Sequence, residues 1–211
     1  MKQQNKLAKA IAAALILCGL FMMAGFTRQC EDISTRVVRL HVLANSDSDE
    51  DQALKLKVRD RILQEAQGLV GETADKEAAL RQLSAAIPAL QTAAEDEVLR
   101  QGYHYPVSLS ITNMYFNTRE YKTITLPAGN YDALRITIGG GKGKNWWCVV
   151  FPPMCLAAAT EETDASAQLE AVLPPDELEI VENADRYEVR FKLVEWFEAA
   201  REWLRSTAPD A

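Results

Sequence analysis

The sequence predicts an α+β domain that is preceded by an N-terminal apolar helix. Three observations support this fold class. A strand pattern at the start of the domain is followed by two long helical patterns, the apolar period then changes to the two-residue alternation of β-strands, and a last helical pattern ends the chain. Because short connections join the later strands, we expect an antiparallel sheet of about four strands, which the first strand can join.

The first segment, residues 1–27, is predicted to be a signal peptide or a membrane anchor. Three lysines precede an apolar run of 17 residues from Ala10 to Phe26. This length is at the short end for a membrane span and slightly long for the core of a signal peptide, and no clear cleavage site follows it. The basic flank places the N-terminus in the cytoplasm and the remaining chain outside it. A buried core helix is the alternative interpretation.

The chain beyond this segment is acidic. The whole sequence has 23 basic and 30 acidic side chains, and three of the basic ones are the lysines of the leader. A general nucleic-acid-binding protein needs a basic face to neutralise phosphates, so no nucleic-acid partner is expected. Anionic lipid repels an acidic domain, so we expect membrane contact only through the N-terminal segment.

Residues 28–156 are predicted to form an extracytoplasmic domain that begins with a strand. Residues 37–44 read VVRLHVLA, in which the two faces of a strand alternate. Ser48 and Asp51 have the spacing of a helix capping box, so a helix is expected from about Asp49 to Gln67. Its predicted apolar stripe consists of Leu54, Val58, Ile62 and Ala66.

Two further features complete the predicted domain. On another face of the same helix, Asp51, Lys55 and Arg59 follow one another at intervals of four residues and can interact. A second helix is predicted from Thr73 to Gln101, and Pro88 should kink or split it. The later strands are predicted over residues 107–113, 121–126, 131–138 and 146–151.

The C-terminal part is predicted to be a linker followed by a helix. Residues 157–184 lack periodicity and contain two adjacent prolines, so an irregular extension is expected there. Residues 185–211 contain a helical pattern that we expect to pack on the domain through a broad apolar face. A partner-binding or membrane-surface helix is the alternative, although its mixed-charge polar face argues against the membrane. The predicted face consists of Val189, Leu193, Trp196, Phe197, Ala200, Trp203 and Leu204.

The stretch GGGKGKNWWC, residues 139–148, resembles a phosphate-binding loop at first sight. A P-loop has glycine five residues before Gly143-Lys144 and Ser or Thr after it, whereas Ile138 and Asn145 occupy these positions. A dinucleotide-binding loop opens a helix, but a strand pattern follows here. The glycines are therefore interpreted as a flexible connection between two strands, and no cofactor is expected.

The cysteines indicate an oxidising compartment. Cys148 and Cys155 are separated by six residues that include two prolines, and we expect them to form a disulfide, with two free thiols as the alternative. The redox state of Cys30 is left open. The sequence contains only two histidines, neither close to a cysteine, so no metal site is predicted.

No convincing catalytic arrangement is present. Asp47, Asp49 and Asp51 alternate as in a calcium loop, but Gln52 replaces the required glycine, and helix capping explains the acids better. His41 lies near Ser46 and Asp47 in sequence without the surroundings of a nucleophile elbow. We expect a non-enzymatic protein, with a hydrolase that uses His41 and Asp47 or Asp51 as the alternative.

The adjacent residues Trp146 and Trp147 should point to opposite faces of a strand. One can enter the core while the other faces outward. Tryptophan is a preferred anchor at protein interfaces. A cell-wall or carbohydrate-binding module that uses one of these rings is a third alternative.

Three strings resemble the stage II sporulation protein R family. They are RLHVLANSDSDEDQALKLKVRDRIL at residues 39–63, YFNTREY at residues 115–121, and LPAGNYDALRITIGGGKGKNWWCVVFPPMC at residues 126–155. The leader in front of them fits the same family. The strings are long and unlike common motifs, and they occur in order over residues 37–156.

This resemblance implies an intercellular signalling role. A family member is made in the forespore of an endospore-forming bacterium and exported to the space between forespore and mother cell. There it activates a membrane-embedded aspartic protease, through the extracytoplasmic region of that protease, and the protease processes the precursor of an early mother-cell sigma factor. From the position of the motifs, the candidate partner-binding residues are His41, Asn45, Asp47, Asp51, Lys55, Arg59, Trp146 and Trp147.

Overall fold

The computed structural model describes residues 2–70, 75–121, 123–157 and 165–207. Seven α-helices and six strands are present in these ranges. In chain order they are α1 (Lys2–Arg36), β1 (Val38–Leu43), α2 (Asp49–Val70), α3 (Lys76–Arg100), β2 (Val107–Phe116), β3 (Arg119–Tyr121), β4 (Ile124–Leu126), β5 (Gly129–Ile138), β6 (Asn145–Phe151), α4 (Met154–Ala157), α5 (Ala165–Glu170), α6 (Pro175–Glu182) and α7 (Glu188–Thr207).

The central sheet has four strands in the order β2-β5-β1-β6. The α+β class is confirmed, and β1 joins the sheet as expected. One pairing differs from the predicted antiparallel arrangement: β1 is parallel to β5 and antiparallel to β6, so the sheet is mixed. Every residue of β1 is buried, because this apolar strand lies between two neighbours and is covered on both faces.

Helices α2 and α3 cover one face of the sheet. The predicted stripe of α2 is buried there against alternate residues of β1. The helix continues past its predicted end to Val70. Helix α3 passes through Pro88 as one element, so the predicted split is wrong. Its predicted start at Thr73 lies outside the described residues.

The C-terminal half of α1 packs on the opposite face of the sheet. Phe26, Cys30 and Ile33 are buried in a second cluster, and α1 runs without interruption across the predicted boundary at residue 27. Large apolar side chains are exposed along α1 from Ile11 to Met22. Residues 9–36 are long and apolar enough to cross a membrane. The apolar leader is therefore joined to the domain by a continuous helix.

The second cluster also contains elements that the sequence did not predict correctly. The predicted strand over residues 121–126 is divided between β3 and β4, which form a separate hairpin. The predicted linker over residues 157–184 contains α5 and α6, and Leu169, Leu173 and Ile180 are buried. These residues belong to the folded domain, while residues 158–164 lie outside the described part of the chain.

Helix α7 packs on the domain with an unexpected face. Phe191 and Val194 are buried against the second cluster. The predicted apolar face is exposed at Val189, Leu193, Trp196, Phe197, Ala200 and Trp203, and the side chain of Leu204 is outside the described set. The expectation that this face docks on the core is wrong, because the packed residues project from the opposite side of the helix.

The predicted disulfide is confirmed. Cys148 in the middle of β6 is bonded to Cys155 in α4, and both side chains are buried. Closing a loop of about eight residues stabilises the fold by roughly 2.5 kcal/mol in the chain-entropy account. The bond joins the last strand of the sheet to the helical segment that follows it. Cys30 is a free, buried thiol.

Candidate interaction site

The two most distinctive sequence strings meet at one edge of the central sheet. Because β1 and β5 are parallel, the loops that follow them lie side by side, and β6 begins at the same edge. We call residues 44–48 and 139–144 the loop pair. Its two halves are about 95 residues apart in sequence and in direct contact.

Backbone hydrogen bonds join the two loops. The N–H groups of Lys142 and Gly143 donate to the carbonyl oxygens of Asn45 and Ala44, at 3.2 and 3.0 Å. The N–H of Gly140 donates to Asn45 Oδ1 at 2.9 Å. Since these glycine-loop N–H groups are used within the protein, they are not available to cradle a phosphate. The stretch connects two strands, as interpreted, but hydrogen bonds to the first loop hold it in place, where a flexible connection was expected.

The close approach of the loops requires glycine. A Cβ atom at Gly143 would lie 2.1 Å from the carbonyl oxygen of Ser46, and one at Gly139 would lie 2.3 Å from Asn45 Oδ1. Gly139 also has a positive φ of 56°. The glycine-rich string is therefore explained by contact with the first loop.

Asp51 is a buried hydrogen-bond centre beneath the loop pair. Asn45 Nδ2 and Ser46 Oγ donate to Asp51 Oδ2 at 2.8 and 2.6 Å, and the N–H of Asp51 donates to Ser48 Oγ at 3.2 Å. Burial raises the pKa of Asp51, but hydrogen bonds from Ser46, Asn45 and Tyr105 outweigh it and leave the pKa below its usual value. The carboxylate therefore fixes the first loop from below.

Lys55 joins the helix to the second loop. Its Nζ donates to the carbonyl oxygen of Lys144 at 3.0 Å and to Gln52 Oε1 at 2.6 Å. Burial and the charge of Arg59 lower the pKa of Lys55. Within the described residues, Asp51, Lys55 and Arg59 form no ion pairs with one another. Asp51 accepts from the first loop, Lys55 donates to the second loop, and Arg59 lies over the ring of Trp146.

The exposed surface of the loop pair carries both signs of charge. Asp47, Lys142 and Lys144 are exposed, and Asn45 is half-buried. The N–H of Lys144 donates to Asp47 Oδ1 at 2.6 Å, so the acidic and basic parts are held together. Of the candidate residues, Asn45 and Asp47 are therefore placed where a partner can contact them.

Three other candidate residues are buried. His41, Asp51 and Lys55 are exposed by 3%, 4% and 4%. The sheet and the loops cover these side chains, and their contact with a partner stays a prediction. Asp51 and Lys55 hydrogen-bond to the two loops, whereas His41 stacks on Trp147.

Trp146 and Trp147 point to opposite faces of β6, as predicted. The guanidinium of Arg59 lies 4.2 Å from the ring centre of Trp146. His41 stacks on Trp147 with ring centres 3.9 Å apart. Both tryptophan rings are partly buried and packed on neighbours, so neither forms an open platform of the kind that a sugar-binding module uses.

His41 and Asp51 lie on different sides of the sheet. Leu40 and Val42 face α2 and α3, while His41 projects from β1 toward Phe116 and Trp147. Asp51 belongs to α2 on the first side. The hydrolase alternative that pairs these two residues therefore lacks its geometry. Within the described ranges, no group of three metal-ligating side chains is present.

The burial of His41 predicts a dependence of stability on pH. Burial and the nearby charge of Arg135 lower the pKa of His41 from 6.5 to about 4. The folded state favours the neutral ring. The contribution of His41 to the free energy of unfolding is therefore present above pH 6.5 and is lost as the pH falls toward 4. We expect His41→Phe to make the free energy of unfolding less dependent on pH between 6.5 and 4, as measured by urea unfolding at several pH values. His104→Gln, at an exposed position, should retain the wild-type slope, and an unchanged slope in His41→Phe would refute the assignment.

Sequence reasoning missed the role of Arg39. Its side chain is fully buried, with Nε donating to the carbonyl oxygen of Cys148 at 3.2 Å and Nη2 to the hydroxyl of Tyr121 at 2.8 Å. The guanidinium lies over the rings of Phe116 and Tyr131, at 4.5 and 4.9 Å from their centres. A basic residue in an otherwise apolar strand was the available signal, but its aromatic partners are distant in sequence.

The comparisons with known proteins agree with these motifs. The family model described as stage II sporulation protein R matches residues 34–161, which include both halves of the loop pair. A Bacillus subtilis (strain 168) protein named stage II sporulation protein R is 36% identical over 181 residues, covering 78% of this chain and 81% of the relative. No solved structure matches the chain.

Proposed function

The chain belongs to the stage II sporulation protein R family, and on that premise we propose that it is an exported signal that activates a membrane-embedded aspartic protease. The protease lies in the mother-cell membrane, and the signal comes from the forespore side of the intermembrane space. The activated protease then removes the pro-sequence of an early mother-cell sigma factor. The chain itself breaks no covalent bond.

The main observation that supports this proposal is the hydrogen-bonded contact between the two loops of the loop pair. Two strings that distinguish the family converge on one edge of the sheet, where their polar groups bond to one another. Such an arrangement fixes a surface shape and does not aim a base at a substrate. A surface whose backbone is preformed is suited to recognising a protein, because little backbone entropy is lost on binding.

The placement of the chain also supports the proposal. The apolar N-terminal helix and the disulfide are consistent with an exported or membrane-anchored protein. Since α1 continues into the sheet domain, the domain is held close to the membrane from which the helix emerges. A membrane protease in the facing bilayer is a partner that such a tethered domain can reach.

Activation requires selective binding. A ligand shifts the protease toward its active state only when it binds that state more tightly than the inactive one. A shift from about 1% to about 99% active needs a preference of roughly 10⁴-fold. The surface that provides this preference is the exposed part of the loop pair, where Asp47, Lys142 and Lys144 present charges from a backbone that hydrogen bonds between the loops hold in place.

Reconstitution tests the proposed function. We expect the sigma-factor precursor to be processed when the purified chain and the protease are present together, and in neither single-component control. Addition of an aspartic-protease inhibitor should abolish the product, because the protease supplies the chemistry. Cleavage of the precursor by the chain without the protease, or full cleavage by the protease without the chain, would disprove the role of activator.

A further inference from the structure

Helix α7 carries its largest apolar surface on the side that faces away from the domain. Val189, Trp196 and Phe197 are exposed by 73%, 71% and 55%, whereas Phe191 and Val194 on the opposite side are exposed by 4% and 1%. An amphipathic helix ordinarily buries its broader apolar face. The exposed face therefore needs a covering that the described part of the chain does not provide.

The start of α7 is attached to α1 at the end of the apolar leader. Phe26 contacts the rings of Tyr187 and Phe191, with ring centres 5.6 and 5.5 Å away. Phe26 is four residues, or about 6 Å of helix, beyond the exposed Met22. The polar headgroup layer on each side of a bilayer is about 5–7 Å thick. Phe26 is also the last residue of the apolar run, so if the leader occupies the hydrocarbon core, the start of α7 lies at the boundary between the core and the headgroups.

Helix α7 then crosses α1 obliquely. Its second attachment is the ion pair between Arg201 Nη1 and Glu31 Oε1 at 3.0 Å. Between the two attachments, α7 advances about 15 Å from Phe191 to Arg201, while α1 advances only about 7 Å from Phe26 to Glu31. Over this length α7 therefore moves about 7 Å away from the bilayer, and Trp196, midway between the two attachments, lies only about 4 Å beyond Phe26, within the headgroup layer.

We propose that the exposed face of α7 inserts into the lipid–water interface of the membrane that contains α1. Continuity with the apolar surface of the leader identifies lipid as the covering: the large exposed apolar residues of α1 end at Met22, about one turn before Phe26 contacts α7. Tryptophan and phenylalanine are suited to this layer, where tryptophan is enriched. The leader has only 17 apolar residues, about 25 Å of helix, so a second interfacial element supplements a short span.

The charges of α7 predict how this contact depends on lipid. The helix has four acidic and four basic residues, so it gains no net attraction to anionic lipid. They are Glu188, Glu195, Glu198 and Glu202 against Arg190, Lys192, Arg201 and Arg205. Apolar insertion is the driving force, and contact should therefore occur in neutral phosphatidylcholine.

Quenching of tryptophan emission by brominated phosphatidylcholine tests the proposal with the full chain in phosphatidylcholine vesicles. We expect the brominated lipid to quench the wild-type protein and Trp196→Phe to reduce the quenched signal by about twofold, because Trp196 is a principal interfacial ring. Phe197→Glu should also reduce quenching, although it retains every tryptophan. Ala199→Glu is the matched control, because it places the same charge at an exposed position outside the apolar face and should leave quenching unchanged.

Two results would overturn the proposal. One is equal quenching of the wild type and Trp196→Phe by the brominated lipid. The other is protection of Trp196 from soluble acrylamide without quenching by the brominated lipid, which would mean that a second copy of the chain or another protein covers the face. Circular dichroism of each variant verifies that α7 remains folded.

Discussion

The substitution Gly143→Ala should unfold the loop pair and abolish the proposed activation of the protease. The added Cβ would lie 2.1 Å from the carbonyl oxygen of Ser46 and 2.5 Å from its carbonyl carbon. Both are backbone atoms, so the loops must separate, and the bond from the Gly143 N–H to Ala44 is lost. We expect a loss of about 3 kcal/mol in the free energy of unfolding, at the upper end for an overpacked site.

Gly68→Ala is the matched control for this substitution. Gly68 lies inside α2, and no atom is within 4 Å of a Cβ built on it. Alanine is the better helix former, so this variant should be more stable than the wild type by about 0.5–1 kcal/mol. Denaturant unfolding and precursor processing measure the two effects together. If Gly143→Ala were as stable and as active as Gly68→Ala, the contact between the loops would be refuted.

The second large effect is expected at Arg39. Arg39→Ala removes a fully buried side chain, leaves a cavity among aromatic rings, and takes the donor from the hydroxyl of Tyr121. We expect the free energy of unfolding to fall by about 3–5 kcal/mol, the range for large buried side chains. Chemical denaturation of the purified protein in detergent measures the change.

Arg39→Met separates packing from charge. Within the described residues, no carboxylate pairs with Arg39, and the guanidinium is compensated by ring faces, a carbonyl oxygen and a hydroxyl. Methionine fills much of the same volume without a buried charge, so this variant should remain within about 1.5 kcal/mol of the wild type. A loss in Arg39→Met as large as that in Arg39→Ala would show that the charge, and not the packing, stabilises this region.

Local patterns predicted most of the elements. The alternation in residues 37–44 identified β1, and the four-residue stripe of α2 named the residues that are buried. Such patterns involve residues only a few positions apart, so a single sequence is enough to detect them. The separation of Trp146 from Trp147 onto two faces follows from the same local geometry.

Local patterns did not predict which strands pair or which residues distant in sequence are in contact. Short connections suggested an antiparallel order, but β1 lies between β5 and β6, and two helices and three strands separate it from its parallel neighbour β5 in sequence. The partners of Arg39 lie 82 and 109 residues away. The contact between Gly143 and Ser46 is equally remote in sequence, so the glycines were interpreted as flexible when they are needed for close packing.

The orientation of α7 could not be predicted for a different reason. Periodicity shows which residues share a face, but it does not show which face the rest of the protein covers. Phe191 and Val194 are fewer than the residues of the broad face, yet they enter the core because α1 and the β3–β4 hairpin lie on their side. The exposed face remained available for a contact outside the domain.

The most direct test of the central claim is the concentration of the chain that gives half-maximal processing of the sigma-factor precursor. Lys142→Glu changes an exposed charge of the loop pair without removing its backbone bond to Asn45, and Arg81→Glu makes the same change on the exposed surface of α3. We expect Lys142→Glu to raise this concentration about tenfold, equivalent to about 1.4 kcal/mol of binding energy, and Arg81→Glu to leave it unchanged. Equal concentrations for both variants and the wild type would contradict the assignment of the loop pair as the surface that activates the protease.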